Sequence, residues 1–83
     1  MKINQESITV RNGDKVIKAV TEAFQQGDHV LDFSGVKNMD STALAVILAA
    51  KRMLKSDKTL ELQHAPEQLN SLIAAYGVQS LFS

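Results

Sequence analysis

The chain has no cysteine among its 83 residues. This excludes a disulfide framework, thiol catalysis and thiolate-bound metal, and it fits a reducing cytosol. There is no surplus charge of either sign. Nine Lys and Arg balance nine Asp and Glu, so no long-range field draws the chain to nucleic acid or to an anionic bilayer. Long apolar runs are missing too. The longest, Ala43 to Ala50, is far short of the roughly 20 residues that cross a membrane. Met1-Lys2-Ile3-Asn4-Gln5-Glu6 lacks the apolar core of a secretory signal. The expectation is a soluble, cytoplasmic protein that reaches a membrane only indirectly, through a partner. The length accommodates one domain, expected over residues 1–83. A chain this short buries a limited share of its surface, so its stability is modest unless a partner adds to it.

Chemistry is scarce. No serine lies in a nucleophile-elbow pattern, and the four glycines are dispersed, each with a turn or cap reading rather than a phosphate loop. His29 and His64 lack ligand-spaced companions, so neither a metal nor another cofactor is expected. His29 precedes a strand instead of opening a helix, which argues against a phosphohistidine carrier. Asp32 sits inside an apolar run; its simplest job is to close the strand by accepting backbone N–H groups of the following turn. Enzyme activity is not expected.

What is present is an alternation of elements. Ser7-Ile8-Thr9-Val10-Arg11 has period two and β-branched residues and reads as a strand. Asn12-Gly13-Asp14 is a turn with Asp14 as the expected N-cap. From Lys15 to Gln26, Val16, Ile17, Val20, Ala23 and Phe24 share one helical face, and Gly27 closes the helix. Val30 to Phe33 reads as a strand buried on both faces, and Gly35 to Asn38 as a turn. A second helix is expected from about Ser41 to Ser56, a third strand over Thr59–Gln63, and a last helix between Pro66 and Gly77 with Leu69, Leu72, Ile73 and Tyr76 in one stripe. Val78 to Phe82 is expected to pack back as a tail. Strands joined through helices are usually parallel. The fold class is therefore α/β, a mostly parallel mixed sheet with about three helices.

The segment from His29 to Leu44 concentrates the polar chemistry. A strand ends, the chain turns, and Asp40, Ser41 and Thr42 stand where the second helix begins. Open α/β proteins place working residues at such positions. Two roles are open for these three groups. They can cap the first helical turn, or a hydroxyl can accept phosphate or touch a partner, with the helix dipole favouring the phosphate and Asp40 opposing it. At about 100° per residue, Ala43, Val46, Ile47, Ala50, Met53 and Leu54 form the face expected against the sheet. Leu44, Leu48, Lys51 and Lys55 gather opposite, flanked by Ala45 and Arg52, with Ser41 on the same outer side. That outer face is either a docking patch, apolar for two turns and then basic, or a surface covered by a loop or another helix. The basic cluster of Lys51, Arg52, Lys55 and Lys58 is a solvated helix face or meets an acidic partner surface.

Leu31-Asp32-Phe33-Ser34-Gly35-Val36 followed by Met39-Asp40-Ser41-Thr42-Ala43-Leu44-Ala45 resembles the core motif of STAS domains, the modules shared by sulfate transporters and anti-sigma factor antagonists. The resemblance runs from the Ser7 strand to Leu81-Phe82, and Asp-Ser-Thr is its most specific part. It implies a non-enzymatic α/β module that binds other proteins. Two branches fit. Leu72-Ile73-Ala74-Ala75-Tyr76-Gly77-Val78 and Asp40-Ser41-Thr42-Ala43-Leu44-Ala45 resemble the small MlaB-type subunit of Mla phospholipid-transport ABC complexes. That likeness implies an ABC ATPase as partner, with Ser41 at the contact. Taken together with the outer face of the second helix, the expected partner surface comprises Asp40, Ser41, Thr42, Leu44, Ala45, Leu48, Lys51 and Arg52. The other branch is the anti-sigma factor antagonists, which a kinase-type anti-sigma factor phosphorylates; there Thr42 holds the matching position. Antagonists more often have glycine where Ala43 stands, which favours the transporter branch.

Overall fold

The computed structural model describes residues 1–77. Its elements are β1 (Ser7–Ile8), α1 (Gly13–Gln25), β2 (Val30–Asp32), β3 (Asn38–Met39), α2 (Thr42–Met53), β4 (Glu61–Gln63) and α3 (Glu67–Tyr76). The strands form two short parallel sheets. Ser7 and Ile8 of β1 pair with Asn38 and Met39 of β3, and Val30, Leu31 and Asp32 of β2 pair with Glu61, Leu62 and Gln63 of β4. A parallel bridge between Lys2 and Asp32 connects the N-terminal segment to β2. There Asp32 N–H donates to the Met1 carbonyl and Ile3 N–H to the Asp32 carbonyl. Successive backbone groups of a strand point to opposite edges, so this segment lies on the edge of β2 away from β4. It then continues into β1, and the first eight residues link the two pairs.

The α/β class and the three helices agree with the expectation. The strands are shorter and more divided than expected. Every described pairing is parallel, in two small sheets and not in one mixed sheet. Asn38, read as the end of a turn, instead forms a strand with Met39, because Lys37 and Asn38 N–H groups both donate to the Glu6 carbonyl and draw this stretch alongside β1. The first strand stops at Ile8. Asn12 ends it, accepting the Thr9 N–H on its Oδ1 at 2.9 Å and donating from Nδ2 to the Ser7 carbonyl at 2.7 Å. Asn12 also stands at the N-cap position of α1, although its side chain is committed to this turn. Asp14, the expected cap, lies within the first helical turn instead, where its charge complements the helix dipole.

The core is apolar throughout: among the described residues no polar or charged residue is buried. Val16, Val20 and Phe24 of α1 meet Ala43, Val46, Ile47 and Ala50 of α2, with Leu31 and Phe33 from the β2 region and Ile3 and Ile8 from the N-terminal segment. Ile17, Ala23, Met53 and Leu54 are half-buried at its margin. Helix α2 ends at Met53, three residues before the expected limit, because Leu54 takes an extended conformation. Lys51 and Arg52 occupy its last turn, the favourable end for cations. Gly77 closes α3 at φ 63°, a left-handed conformation in which glycine carries no Cβ penalty. On α3, Leu69 is buried and Leu72 and Ile73 half-buried, while Tyr76 is 58% exposed, so the expected stripe ends before it. The tail expected over Val78 to Phe82 lies outside the described residues.

Candidate functional site

The polar site is built where β3 delivers the chain to α2. Asp40 follows the strand, and its N–H donates to the Ile8 carbonyl at 3.0 Å, continuing the pairing with β1. This fixes its side chain between two segments. Oδ1 accepts the Thr42 N–H at 2.8 Å, and Oδ2 accepts the Val10 N–H at 3.2 Å. The Thr42 hydroxyl also donates to this carboxylate. These bonds, the Thr42 hydroxyl first and the Thr42 and Val10 N–H groups with it, favour the charged form and hold Asp40 below the ordinary carboxylate pKa. The Asp40 carbonyl receives the Ala43 N–H as well. Of the three groups expected to cap α2, Asp40 therefore satisfies the free N–H groups. Ser41 makes no capping bond and is exposed.

Thr42 is half-buried and faces two ways. Its hydroxyl turns to Asp40, while its methyl lies 2.5 Å from where a Cβ on residue 13 would stand. Only glycine at position 13 lets the starts of α1 and α2 approach so closely. Nothing local marks this contact, since its partners lie far apart in the chain.

The outer face of α2 is narrower than helical spacing suggested. Leu44, expected on that face, is only 7% exposed and belongs to the core. The reason is that α2 packs against α1 and also against α3, so burial extends further round its circumference than one sheet-facing stripe. Leu48 is half-buried. Ser41, Ala45 and Arg52 are exposed and, with Leu48, make a single row along the helix. Lys51 is also exposed, towards the side of that row. Beside the Ser41 end of the row stands Val10, 80% exposed and tied to Asp40. Reading Val10 into a strand missed it. The signal that could have found it is the Thr9-to-Asn12 spacing, two side chains prone to bonding their own backbone just before a glycine.

Residues 5–83 match the family model described as Mlab, STAS domain. The chain belongs to the MlaB-type STAS domain family. Neither a curated protein nor a solved structure matches it. This STAS domain carries a second polar group, at the carboxyl ends of β2 and β4. Asp32 Oδ1 accepts the Ser34 N–H at 2.9 Å, closing the strand as expected, and also lies 3.0 Å from His64 Nδ1. The Ser34 N–H first, and then His64, lower the Asp32 pKa. His64 adopts φ 54°, and the pair is exposed on the histidine side. His29 is separate, with Nδ1 3.3 Å from the Thr59 carbonyl. Among the described residues, no three His, Asp or Glu side chains converge on a metal-sized site, and no helix of the STAS domain is long and apolar enough to cross a membrane.

Proposed function

We propose that this STAS domain, taken as one unit over residues 1–83, is the non-catalytic subunit of an Mla-type phospholipid-transport ABC complex. It binds the ATPase subunit and stabilises or regulates it. The observation that carries the reading is the match to the MlaB-type family across nearly the whole chain. The contact surface is the start and outer row of α2, comprising Asp40, Ser41, Thr42, Ala45, Leu48, Lys51 and Arg52; the burial of Leu44 removes it from that surface. The protein works in the cytoplasm and meets the membrane only through its complex.

The test is co-expression with the Mla-type ATPase subunit of the same genome. The two should co-purify, and binding should raise the ATPase's unfolding midpoint or activity, since a ligand of the folded state stabilises it by mass action. The chain alone should hydrolyse neither ATP nor GTP. Absence of any complex would defeat the reading. The antagonist alternative, phosphorylation of Thr42 by a kinase-type anti-sigma factor, has weaker support. The Thr42 hydroxyl is engaged by Asp40 and its methyl lies against Gly13. Stoichiometric phosphate on Thr42 after incubation with such a kinase and ATP would reverse the preference.

A further inference from the structure

The peptide unit between Met39 and Asp40 is gripped at both ends by distant parts of the chain. At one end the Asp40 N–H donates to the Ile8 carbonyl at 3.0 Å. At the other the Met39 carbonyl accepts from the side-chain amide of Gln68 at 2.7 Å. A carbonyl only accepts, so the group facing it is the Gln68 NH2. In a trans peptide the N–H and C=O point in opposite directions, and the described residues contain no cis bond. The Met39 carbonyl therefore leaves β3 on the edge away from β1, where no strand is paired among the described residues. Gln68 reaches it there from the first turn of α3. The next residue, Leu69, is fully buried and anchors that turn, and α3 packs against both β3 and α2. Gln68 itself is exposed. A surface glutamine is ordinarily satisfied by water; this one is engaged by a backbone carbonyl 29 residues away.

Resting on the reading of the start of α2 as part of the ATPase contact, we infer that Gln68 is a positioning residue for that contact. By holding the Met39 carbonyl it fixes the plane of the peptide that leads into Asp40. That plane sets where the Asp40 carboxylate meets the Thr42 and Val10 N–H groups, at 2.8 and 3.2 Å. It also sets where the Asp40 carbonyl meets the Ala43 N–H. Ser41 follows directly and makes no capping bond of its own, so its placement is inherited from Asp40. Gln68 lies on α3, off the α2 row, and acts through the backbone instead of touching the partner. The role needs a donor at the end of a side chain of this length. Methionine would fill the place without the donor, and an ionised glutamate would turn only acceptors towards the carbonyl.

The experiment follows amide hydrogen exchange in the chain alone, residue by residue by NMR, and affinity for the purified Mla-type ATPase subunit. It compares the unaltered chain with Gln68→Met and Gln68→Glu at neutral pH. Both variants should speed exchange at the Asp40, Thr42 and Val10 amides about two- to tenfold, the effect of one hydrogen bond, and lower affinity by a similar factor. The Phe33 amide, bonded to the Gln63 carbonyl in the other sheet, should exchange as before; equal acceleration there would mean general loosening and overturn the positioning role. Unaltered exchange at Asp40, Thr42 and Val10 would overturn it whatever the affinity, and weakened binding in that case would make Gln68 a direct contact. Faster exchange at the three amides with normal affinity in both variants would overturn the inference and leave the ATPase reading intact. Failure of the unaltered chain to bind would overturn both.

Discussion

Asp40 joins two stretches of chain with one carboxylate: the turn carrying Val10 and the first residue of α2. Its pKa is lowered in the fold because its bonds favour the ionised form, the Thr42 hydroxyl foremost. The sign follows directly. A carboxylate depressed on folding contributes stability in full above its unfolded pKa, about 3.9, and loses that contribution as pH falls through the lower, folded value. Asp40→Asn should therefore be less stable than the unaltered chain at neutral pH by a margin that stays constant down to about pH 5. The margin should shrink below about pH 4, as the unaltered Asp40 takes up its proton. Urea unfolding midpoints of both proteins across this range would check it; a margin that persists undiminished at low pH would mean the charge of Asp40 plays no part. At this scale, the acid and hydroxyls were legible in the sequence as a group beside a helix start. Their division of labour was not, because all three residue types accept N–H groups and only the pairing of the Asp40 N–H with the distant Ile8 carbonyl selects Asp40.

The helix α2 shows what element-scale patterning carries and where it fails. The stripe of Ala43, Val46, Ile47 and Ala50 was legible from spacing alone and is fully buried. Leu44 was misplaced because periodicity describes one helix against one surface, and α2 has α1 and α3 as neighbours. Leu44→Ala should then cost about 2–5 kcal/mol, the range for a buried leucine. Ala45→Ser, one residue further on but exposed, should change stability by no more than about 0.5 kcal/mol. Chemical denaturation distinguishes the two; equal effects would place Leu44 on the surface after all. The junction of α1 with α2 allows a sharper test. Gly13→Ala drives a methyl into the Thr42 methyl, whose rotation would break the bond to Asp40. A loss of about 1–3 kcal/mol is expected for such overpacking. Thr42→Ser retains the hydroxyl and removes the clashing methyl, so the double variant should recover most of the loss. Strict additivity in that double-mutant cycle would show that the two residues do not touch.

Across the whole molecule, the parallel pairing and the order of every element but β3 followed from the alternation of strands and helices, and the three helices lie close to where their apolar spacing placed them. The strands were harder to read. Two- and three-residue strands carry too few side chains for an alternation to register, and β3 exists only because Glu6 accepts two N–H groups from Lys37 and Asn38. The divided first strand has a kinetic consequence. Residues 1–8 run between β2 and β3, yet both partners lie roughly thirty residues downstream, so a long loop must close before either pairing is rewarded. Helices α1 and α2 meet across a comparable separation, as Gly13 against Thr42 shows, but each helix makes its own hydrogen bonds locally, and such local structure forms early, whereas residues 1–8 have no helix of their own. The linking segment is expected to join after the folding transition state, like a bolt slid home once the frame is assembled. Ile3, fully buried in that segment, should then report late events: Ile3→Val speeds unfolding and scarcely alters refolding, whereas Val20→Ala in α1 slows refolding. Stopped-flow measurements in urea would resolve the two, and a refolding rate that falls for Ile3→Val as it does for Val20→Ala would mean that the bolt is in place from the start.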